Sequence, residues 1–382
     1  MIKKLILATL CLSSFACSGS KGPPNIILLP NTLGIDAAQN RLFVADSEDN
    51  GFSLINIETN TIVTRKPLLN KDSALRLPEL PQDLAVVNLG GDTTRIFVVG
   101  NGAAPRNRIT VLDFDTAGGL RAAAFSPIIV GADDANDQGD LLPGLAVDTA
   151  TGTLFVSNAN DSLIRAYDVN TGAEKAGSPL AVNSTPSKIS IENAAGRLCV
   201  SSLGSTSVSV IQTDDLTLAP LPFDTGIATG SVAAATTAAG TVLFALSPAN
   251  NEIHIFKLDL ADLTLSTPIG DPILPPVAGA PDSLQNLLSG AAAQVAAAPL
   301  ADGRISAAVT QSTGDLGLID VAADLSSFVT VRVPVLNGQG AQDLEILTDA
   351  AGNAVRVYFA APGGSTVSFV GNNTNQFIGQ IF

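Results

Sequence analysis

The chain has 382 residues, of which 46% are hydrophobic and only 14% are charged, and its formal net charge is −15. So many apolar and so few charged residues exclude a disordered chain, and the acidic balance argues against nucleic acid as a partner. One His and three Cys, with no Cys-x-x-Cys-His, also exclude a cluster of histidine metal ligands and a covalent haem site.

The first predicted element is an export signal over residues 1–16. Lys3 and Lys4 precede an apolar run over 5–12, and small residues lead to Ala16. This order is typical of a secretory signal peptide, and the run is too short to span a bilayer. Removal of its two lysines changes the net charge to −15 − 2 = −17.

Cys17 follows the signal and is the candidate lipidation site. The segment Ser14-Phe15-Ala16-Cys17 resembles the lipobox of bacterial lipoproteins, although Ser14 and Phe15 depart from its usual leucine and small residue. Ordinary signal-peptidase cleavage is the alternative, because Ser14 and Ala16 also satisfy its small-x-small pattern. We favour lipidation, since residues 17–24 have the composition of a flexible tether. The expected location is the bacterial envelope, at the outer membrane, the periplasmic face or the cell surface, with membrane contact through the lipid alone.

A repeat begins with a template over residues 143–172. Apolar residues alternate with polar or small ones on both sides of a turn at 148–152, and further turns follow at 158–162 and 170–172. Period-two alternation between tight turns is typical of an antiparallel meander. The same pattern begins at six further positions, namely Leu33, Asp83, Ser187, Ser231, Ala296 and Asp343.

Seven copies predict an all-β fold, a seven-bladed β-propeller of four-stranded antiparallel blades. Between the equivalent Ile35 and Ile346, six intervals span 346 − 35 = 311 residues, which is about 52 per repeat and suits one blade with its loops. We predict a single propeller domain over 25–382, with a fourth strand at 61–67 in the first blade. The terminal runs 25–29 and 376–382 are both candidates to complete the last blade, so that terminal strands close the ring.

Two copies carry a recognisable motif. Ile35-Asp36 precedes Arg41-Leu42-Phe43-Val44-Ala45-Asp46, and Val147-Asp148 precedes Gly152-Thr153-Leu154-Phe155-Val156-Ser157-Asn158. These segments resemble the YVTN-type propeller repeat family, and the resemblance covers about residues 33–370. It implies a scaffold shared by periplasmic and cell-surface proteins, lactonases and quinoprotein dehydrogenase subunits. The fold alone does not choose among these functions.

Loops on one rim of the propeller are the expected binding surface. The turns between second and third strands should share this rim with the blade-to-blade crossings, and loops on a rigid scaffold commonly carry function. Asp46, Asn101 and Asn158 are the candidate ligand-binding residues there. The alternative is that they are ordinary turn residues, selected for backbone conformation.

Asp83 and Asp343 are the candidates at the mouth of the central tunnel. They are the only carboxylates that we expect there, because the other predicted starts of inner strands are small, polar or apolar: Gly34, Leu84, Gly144, Ser231 and Gln342. A carboxylate pair can hold a cation or act as acid and base. The favoured alternative is that each caps neighbouring turn amides.

Asp134, Asn136 and Gln138 are weak calcium candidates. With Gly139 they mimic the first half of a calcium loop, as residues 46–51 also do. Neither segment has Glu at the twelfth position, so a solvated polar turn is favoured. We therefore predict no metal and no cofactor.

Catalytic side chains are scarce. Lactonases of this resemblance use His, Glu and Arg or metal-bound carboxylates around the tunnel, whereas His254 falls mid-blade on a predicted third strand. Quinoprotein chemistry would require tryptophan, which is absent, and Cys199 is expected to be a buried thiol.

The sequence therefore predicts a non-enzymatic, envelope-anchored scaffold or binding protein. It is expected to be monomeric and to bind an envelope protein or a small polar ligand on its rim. The alternative is a lactonase-like hydrolase or a subunit of a periplasmic oxidoreductase.

Overall fold

The computed structural model describes ten stretches of the chain. They are residues 30–47, 51–67, 80–100, 107–131, 141–216, 222–274, 287–288, 290–335, 340–371 and 376–381. Five candidate residues, Cys17, Asn101, Asp134, Asn136 and Gln138, lie outside the described residues, as do the predicted signal and tether.

The described residues form seven antiparallel sheets, and each sheet is built from strands that are consecutive in the chain. The first strand of every sheet contacts the first strands of two neighbouring sheets, and the first strand of the chain contacts that of the seventh sheet. The sheets are therefore blades in a closed ring, which confirms the predicted seven-bladed β-propeller.

The strands of the seven blades have the following bounds. Blade 1 contains β1 (Pro30–Asp36), β2 (Arg41–Asp46), β3 (Gly51–Asn56) and β4 (Thr61–Pro67). Blade 2 contains β5 (Pro81–Asn88), β6 (Thr94–Gly100) and β7 (Arg108–Asp115), with β8 (Gly119–Ala122) and β9 (Ile128–Ile129) both paired to β7. Blade 3 contains β10 (Leu145–Asp148), β11 (Thr153–Asn158), β12 (Leu163–Asp168) and β13 (Leu180–Ala181). Blade 4 contains β14 (Pro186–Glu192), β15 (Arg197–Ser202), β16 (Ser207–Gln212) and β17 (Phe223–Asp224).

Blades 5 to 7 repeat this plan. Blade 5 contains β18 (Ser231–Thr237), β19 (Gly240–Ser247), β20 (Glu252–Leu258) and β21 (Thr267–Pro268). Blade 6 contains β22 (Ala292–Pro299), β23 (Ile305–Gln311), β24 (Leu316–Val321) and β25 (Phe328–Val333). Blade 7 contains β26 (Asp343–Thr348), β27 (Ala354–Ala361), β28 (Thr366–Gly371) and β29 (Gln376–Ile381). Short 3-10 helices lie at Ala37–Gln39, Leu263–Leu265 and Pro362–Gly364. Within the described part of the chain, no helix has the length and apolar character needed to cross a membrane.

The ring closes between blade 7 and blade 1. The C-terminal run supplies β29, the outermost strand of blade 7, whereas the N-terminal run 25–29 lies outside the described residues. Blades 1 and 7 therefore share no strand in the described structure. The seam between them is filled by a hydrophobic cluster that includes Leu33 and Val44 from blade 1 and Tyr358 and Phe369 from blade 7.

The core lies in the layers between neighbouring blades. Second strands such as β2, β6, β11 and β23 are buried along their whole length, because both of their faces pack against another blade. Cys199 on β15 belongs to this core, as predicted, and burial raises the pKa of its thiol to about 12. The first strands face the axis instead, and they position the candidate site.

Candidate functional site

The first strands place equivalent residues in rings around the central tunnel. In each blade one buried aliphatic residue of the first strand pairs with a fixed position of the second strand, as Leu33 pairs with Val44 and Leu344 with Phe359. The residues immediately before these aliphatic residues form what we call the mouth ring: Thr32, Asp83, Gly144, Lys188, Ser231, Gln294 and Asp343.

Two further rings follow along the strands. The small ring contains the residues immediately after the buried aliphatic residues: Gly34, Ala85, Ala146, Ser190, Ala233, Ala296 and Glu345. The apolar ring comes next: Ile35, Val86, Val147, Ile191, Ala234, Ala297 and Ile346. The tunnel wall thus changes from polar at the mouth to apolar below it.

A cavity of about 360 Å³ lies along this axis. Its lining includes Asp83, Lys188 and Gln294 from the mouth ring, Glu345 from the small ring, and members of the apolar ring. Such a volume lies within the range of small-molecule binding sites, which are typically about 300–1,000 Å³.

Lys188 links two blades that are not neighbours. From blade 4, its Nζ atom lies 3.0 Å from Asp83 Oδ1 and donates a hydrogen bond to the carbonyl oxygen of Gln82 at 2.9 Å, both in blade 2. Blade 3 lies between them and carries Gly144 at the mouth ring. A Cβ atom at Gly144 would lie 2.8 Å from the Ser187 carbonyl oxygen, so the close approach of β14 to blade 3 requires glycine.

Asp83 joins blade 2 to blade 3. Its Oδ2 atom accepts a hydrogen bond from the Leu145 amide at 2.7 Å, and its Oδ1 atom accepts one from the Leu84 amide at 3.2 Å. Burial raises the pKa of the Asp83 carboxyl to about 6, the nearby Lys188 ammonium opposes this rise, and the charge of Asp343 adds to it.

Asp343 joins blade 7 to blade 1 in the same manner. Its Oδ2 atom accepts from the Thr32 hydroxyl at 2.6 Å and from the Leu33 amide at 2.8 Å, and its Oδ1 atom accepts from the Leu344 amide at 3.0 Å. Both aspartates therefore cap backbone amides, although these amides belong to the first strands of their own and the neighbouring blades and not to turns. Their predicted role in ligand binding stays a prediction.

Glu345 is a tunnel carboxylate that sequence analysis missed. The expectation that only Asp83 and Asp343 would supply carboxylates near the mouth is wrong, because Glu345 also lines the cavity. Protein surrounds its side chain, yet the cavity keeps it partly accessible. Burial, and then the charges of Asp343 and Asp83, raise the pKa of Glu345 well above its usual value, while Lys188 lowers it.

Lys188 was also missed, and one signal in the sequence identifies both residues. When the repeats are aligned on their buried aliphatic residues, six copies have Gly, Ala or Ser where blade 7 has Glu345. The same alignment places Lys188 in the column of Asp83 and Asp343.

Two polar acceptors of the cavity wall have no partner among the described residues. No hydrogen bond joins the Glu345 carboxylate to another described side chain or amide. The Gln294 Oε1 atom is buried and likewise accepts no hydrogen bond within those residues. The Glu345 carboxylate is therefore the acceptor that a donor entering the tunnel meets directly, and Gln294 carries a second, buried acceptor beside the cavity.

The predicted rim residues that the structure describes, Asp46 and Asn158, contact residues of their own blades. Asp46 is fully buried, with Oδ2 at 3.5 Å from Arg65 Nε. Asn158 is fully buried at the end of β11, where its Oδ1 atom accepts from the Asp161 amide at 3.2 Å. Neither residue lines the cavity, and their role in ligand binding stays a prediction. His254 lies on β20, the third strand of blade 5, as predicted, with Nε2 at 3.3 Å from Glu252 Oε2.

The carboxylates do not converge on a metal-sized site. Across the described ranges, no group of three or more His, Cys, Asp or Glu side chains is arranged to hold a metal ion. The described residues of the tunnel mouth place hydrogen-bond acceptors and the ammonium group of Lys188, which is paired with Asp83, around the cavity.

Comparison with known proteins supports the fold. No protein-family profile matches the chain, and no curated protein sequence matches it. Among solved structures, hydrazine synthase from Kuenenia stuttgartiensis is 12% identical with a TM-score of 0.58, over 94% of this chain and 99% of that one. The dihydro-heme d1 dehydrogenase NirN in complex with DHE is 14% identical with a TM-score of 0.57, over 93% and 66%. U3-55K is 11% identical with a TM-score of 0.59, over 92% and 90%.

These likenesses concern the fold alone, because all three identities are below 25%. Membership of the YVTN-type family stays a prediction. The function must be argued from the tunnel itself.

Proposed function

We propose that this chain is a binding protein whose propeller holds a small polar ligand at the mouth of the central tunnel. The observation that carries this proposal is the cavity of about 360 Å³ on the axis, whose wall combines charged groups with an apolar floor. A concave site with a few convergent polar groups on an apolar wall is the usual form of a small-molecule site.

Binding accounts for the tunnel residues better than hydrolysis. Asp83 and Asp343 already accept hydrogen bonds from the backbones of neighbouring blades, which restrains them as structural acceptors. His254 lies on a third strand, outside the cavity lining. Neither arrangement supplies a nucleophile and base within hydrogen-bond reach of each other, as covalent catalysis requires.

The test uses isoleucine methyl groups as reporters of the tunnel. Ile35, Ile191 and Ile346 line the cavity, whereas Ile319 is buried in the core between blades 5 and 6. Methyl-labelled full-length protein is titrated separately with hexylammonium, hexanoate, hexanol and γ-butyrolactone. We expect at least one probe to shift the three tunnel methyl resonances while that of Ile319 stays in place.

The proposal fails if no probe shifts the tunnel resonances, or if the Ile319 resonance shifts equally. If the protein hydrolyses γ-butyrolactone and the Glu345→Gln variant does not, the hydrolase alternative replaces the proposal of a binding protein.

We further propose that the protein is exported and anchored in the bacterial envelope through a lipid on Cys17. The support is the sequence of the first 24 residues, which combines a signal-like run with a cysteine and a segment of Ser, Gly and Pro that has a tether-like composition. Metabolic labelling with an alkynyl fatty acid should label the wild type and the Cys199→Ala control, but not Cys17→Ala. Label retained in Cys17→Ala, or absent from the wild type, rejects lipid anchoring.

A further inference from the structure

We infer that the tunnel selects an organic cation, specifically a primary ammonium group carried on a compact apolar body. This inference rests on the proposed function and specifies the ligand class. It follows from how the polar groups of the mouth are already paired, from the composition of the rings below, and from the side chains that the cavity lacks.

The pairing of the charged groups leaves one carboxylate to be neutralised. Lys188 already forms an ion pair with Asp83 Oδ1 and donates a hydrogen bond to the Gln82 carbonyl oxygen. Asp343 is not among the residues that line the cavity, and both of its oxygens accept hydrogen bonds from blades 7 and 1. Glu345 lines the cavity without a hydrogen-bond partner among the described residues. Three carboxylates, Asp83, Asp343 and Glu345, thus face the ammonium group of Lys188. An anionic ligand would add to this excess of acidic groups, whereas a cation would stabilise the ionised form of Glu345 and pair with it.

A second acceptor favours a donor with several hydrogens. Gln294 lines the cavity in blade 6, next to blade 7, and its Oε1 atom is buried and accepts no hydrogen bond within the described ranges. Rotation of the side-chain amide would present this acceptor to a ligand. A buried acceptor without a partner is costly, so a ligand that donates to it is stabilised. A primary ammonium group has three donors and can therefore serve the Glu345 carboxylate and the amide oxygen together.

The rings below the mouth suit an apolar body. The small ring, apart from Glu345, contains only Gly, Ala and Ser, and so leaves space along the axis. The apolar ring then presents half-buried aliphatic side chains, namely Ile35, Val86, Val147, Ile191 and Ile346. Covering these side chains with a hydrocarbon group removes apolar surface from water and favours binding.

The same lining discriminates against quaternary ammonium groups. Sites for such groups commonly surround the cation with aromatic rings, and no aromatic side chain is among the described residues that line this cavity. A trimethylated cation also has no N–H to donate to Glu345 or Gln294. The ligand class is therefore a primary amine and not a choline-like cation.

Isothermal titration calorimetry on the full-length protein tests this selectivity. The probes are hexylammonium, hexyltrimethylammonium, hexanoate and hexanol, which share a six-carbon chain and differ in the head group. We expect hexylammonium to bind most tightly and its affinity to fall about tenfold or more in Glu345→Gln, because a charge-assisted hydrogen bond is lost. Glu252→Gln removes a carboxylate outside the cavity lining and should leave the affinity unchanged.

The outcomes separate this inference from the proposed function. Tighter binding of hexanoate, hexanol or hexyltrimethylammonium, or unchanged affinity in Glu345→Gln, overturns the cation inference and leaves a small-ligand site in place. Absence of binding by all four probes overturns the cation inference and, with unshifted tunnel methyl resonances, the proposed function as well.

Discussion

Glu345 and Asp83 are carboxylates held where ionisation is unfavourable. The pKa of Asp83 rises from 3.8 to about 6, which corresponds to about 3 kcal/mol against the charged form, even though Lys188 lies beside it. For Glu345, burial and its acidic neighbours raise the pKa well above the usual value, although the charge of Lys188 opposes this rise. Burying these two carboxylates lowers the stability of the folded protein at neutral pH. Titratable groups with strongly shifted pKa values often lie at functional sites, which supports a role for them in ligand binding.

The Glu345→Gln variant should be more stable than the wild type at pH 8. Because the pKa of Glu345 is raised in the folded state, its contribution to stability is fully present below its unfolded pKa and is lost as pH rises through the folded pKa. The neutral amide avoids that loss. Thermal unfolding should therefore give similar midpoints for the two proteins near pH 4 and a higher midpoint for Glu345→Gln at pH 8.

The matched comparison is Glu252→Gln, which changes the same side chain outside the cavity. A lower midpoint for Glu345→Gln than for the wild type at pH 8 would contradict the prediction. The expected gain in stability also means that weaker binding by this variant is not explained by unfolding.

The strands show which features of the fold follow from local sequence pattern. Period-two alternation and turn residues predicted seven blades, the bounds of β4 at Thr61–Pro67, and the position of His254 on a third strand. These features depend on neighbours in sequence, because an antiparallel meander pairs consecutive strands. The C-terminal run likewise became the outer strand of blade 7, one of the two alternatives that the alternation allowed.

Register at the axis did not follow from the same pattern. Irregularities interrupt the first strands between Pro30 and Thr32, between Pro81 and Asp83, and at the corresponding points of blades 4 and 6. A shift of one residue exchanges the two faces of a strand. The predicted starts of the inner strands are therefore not equivalent positions in the structure, since Gly34 belongs to the small ring and Leu84 to the buried aliphatic positions.

Contacts between distant blades account for the rest of the site. Lys188 and Asp83 are separated by one intervening blade, and no local periodicity indicates that their side chains meet. Asp83 and Asp343 occupy equivalent positions of the mouth ring, and their role in ligand binding stays a prediction. Glu345 becomes visible only after the repeats are aligned on the observed register.

At the scale of the whole molecule, the seam between blade 7 and blade 1 is where the ring closes without a chain connection from one blade to the next. No strand is shared across it in the described structure, so side chains hold it. At the axis these are the hydrogen bonds from Thr32 and Leu33 to Asp343, and at larger radius Arg356 Nη1 donates to the Ile57 carbonyl oxygen at 3.1 Å.

Asp343→Ala should open this seam. It leaves the Thr32 hydroxyl and the Leu33 amide buried without an acceptor, and we expect a loss of about 2–4 kcal/mol in the free energy of unfolding, measured with denaturant. Hydrogen exchange should quicken at Leu33, whereas Asp83→Ala should quicken it at Leu145, the amide that Asp83 caps. Asp343→Asn, which keeps an acceptor oxygen, should lose less. Unchanged exchange at Leu33 in Asp343→Ala would show that the aspartate does not close the ring. Equal quickening at Leu33 and Leu145 in both alanine variants would indicate a general loss of stability and not the opening of one seam.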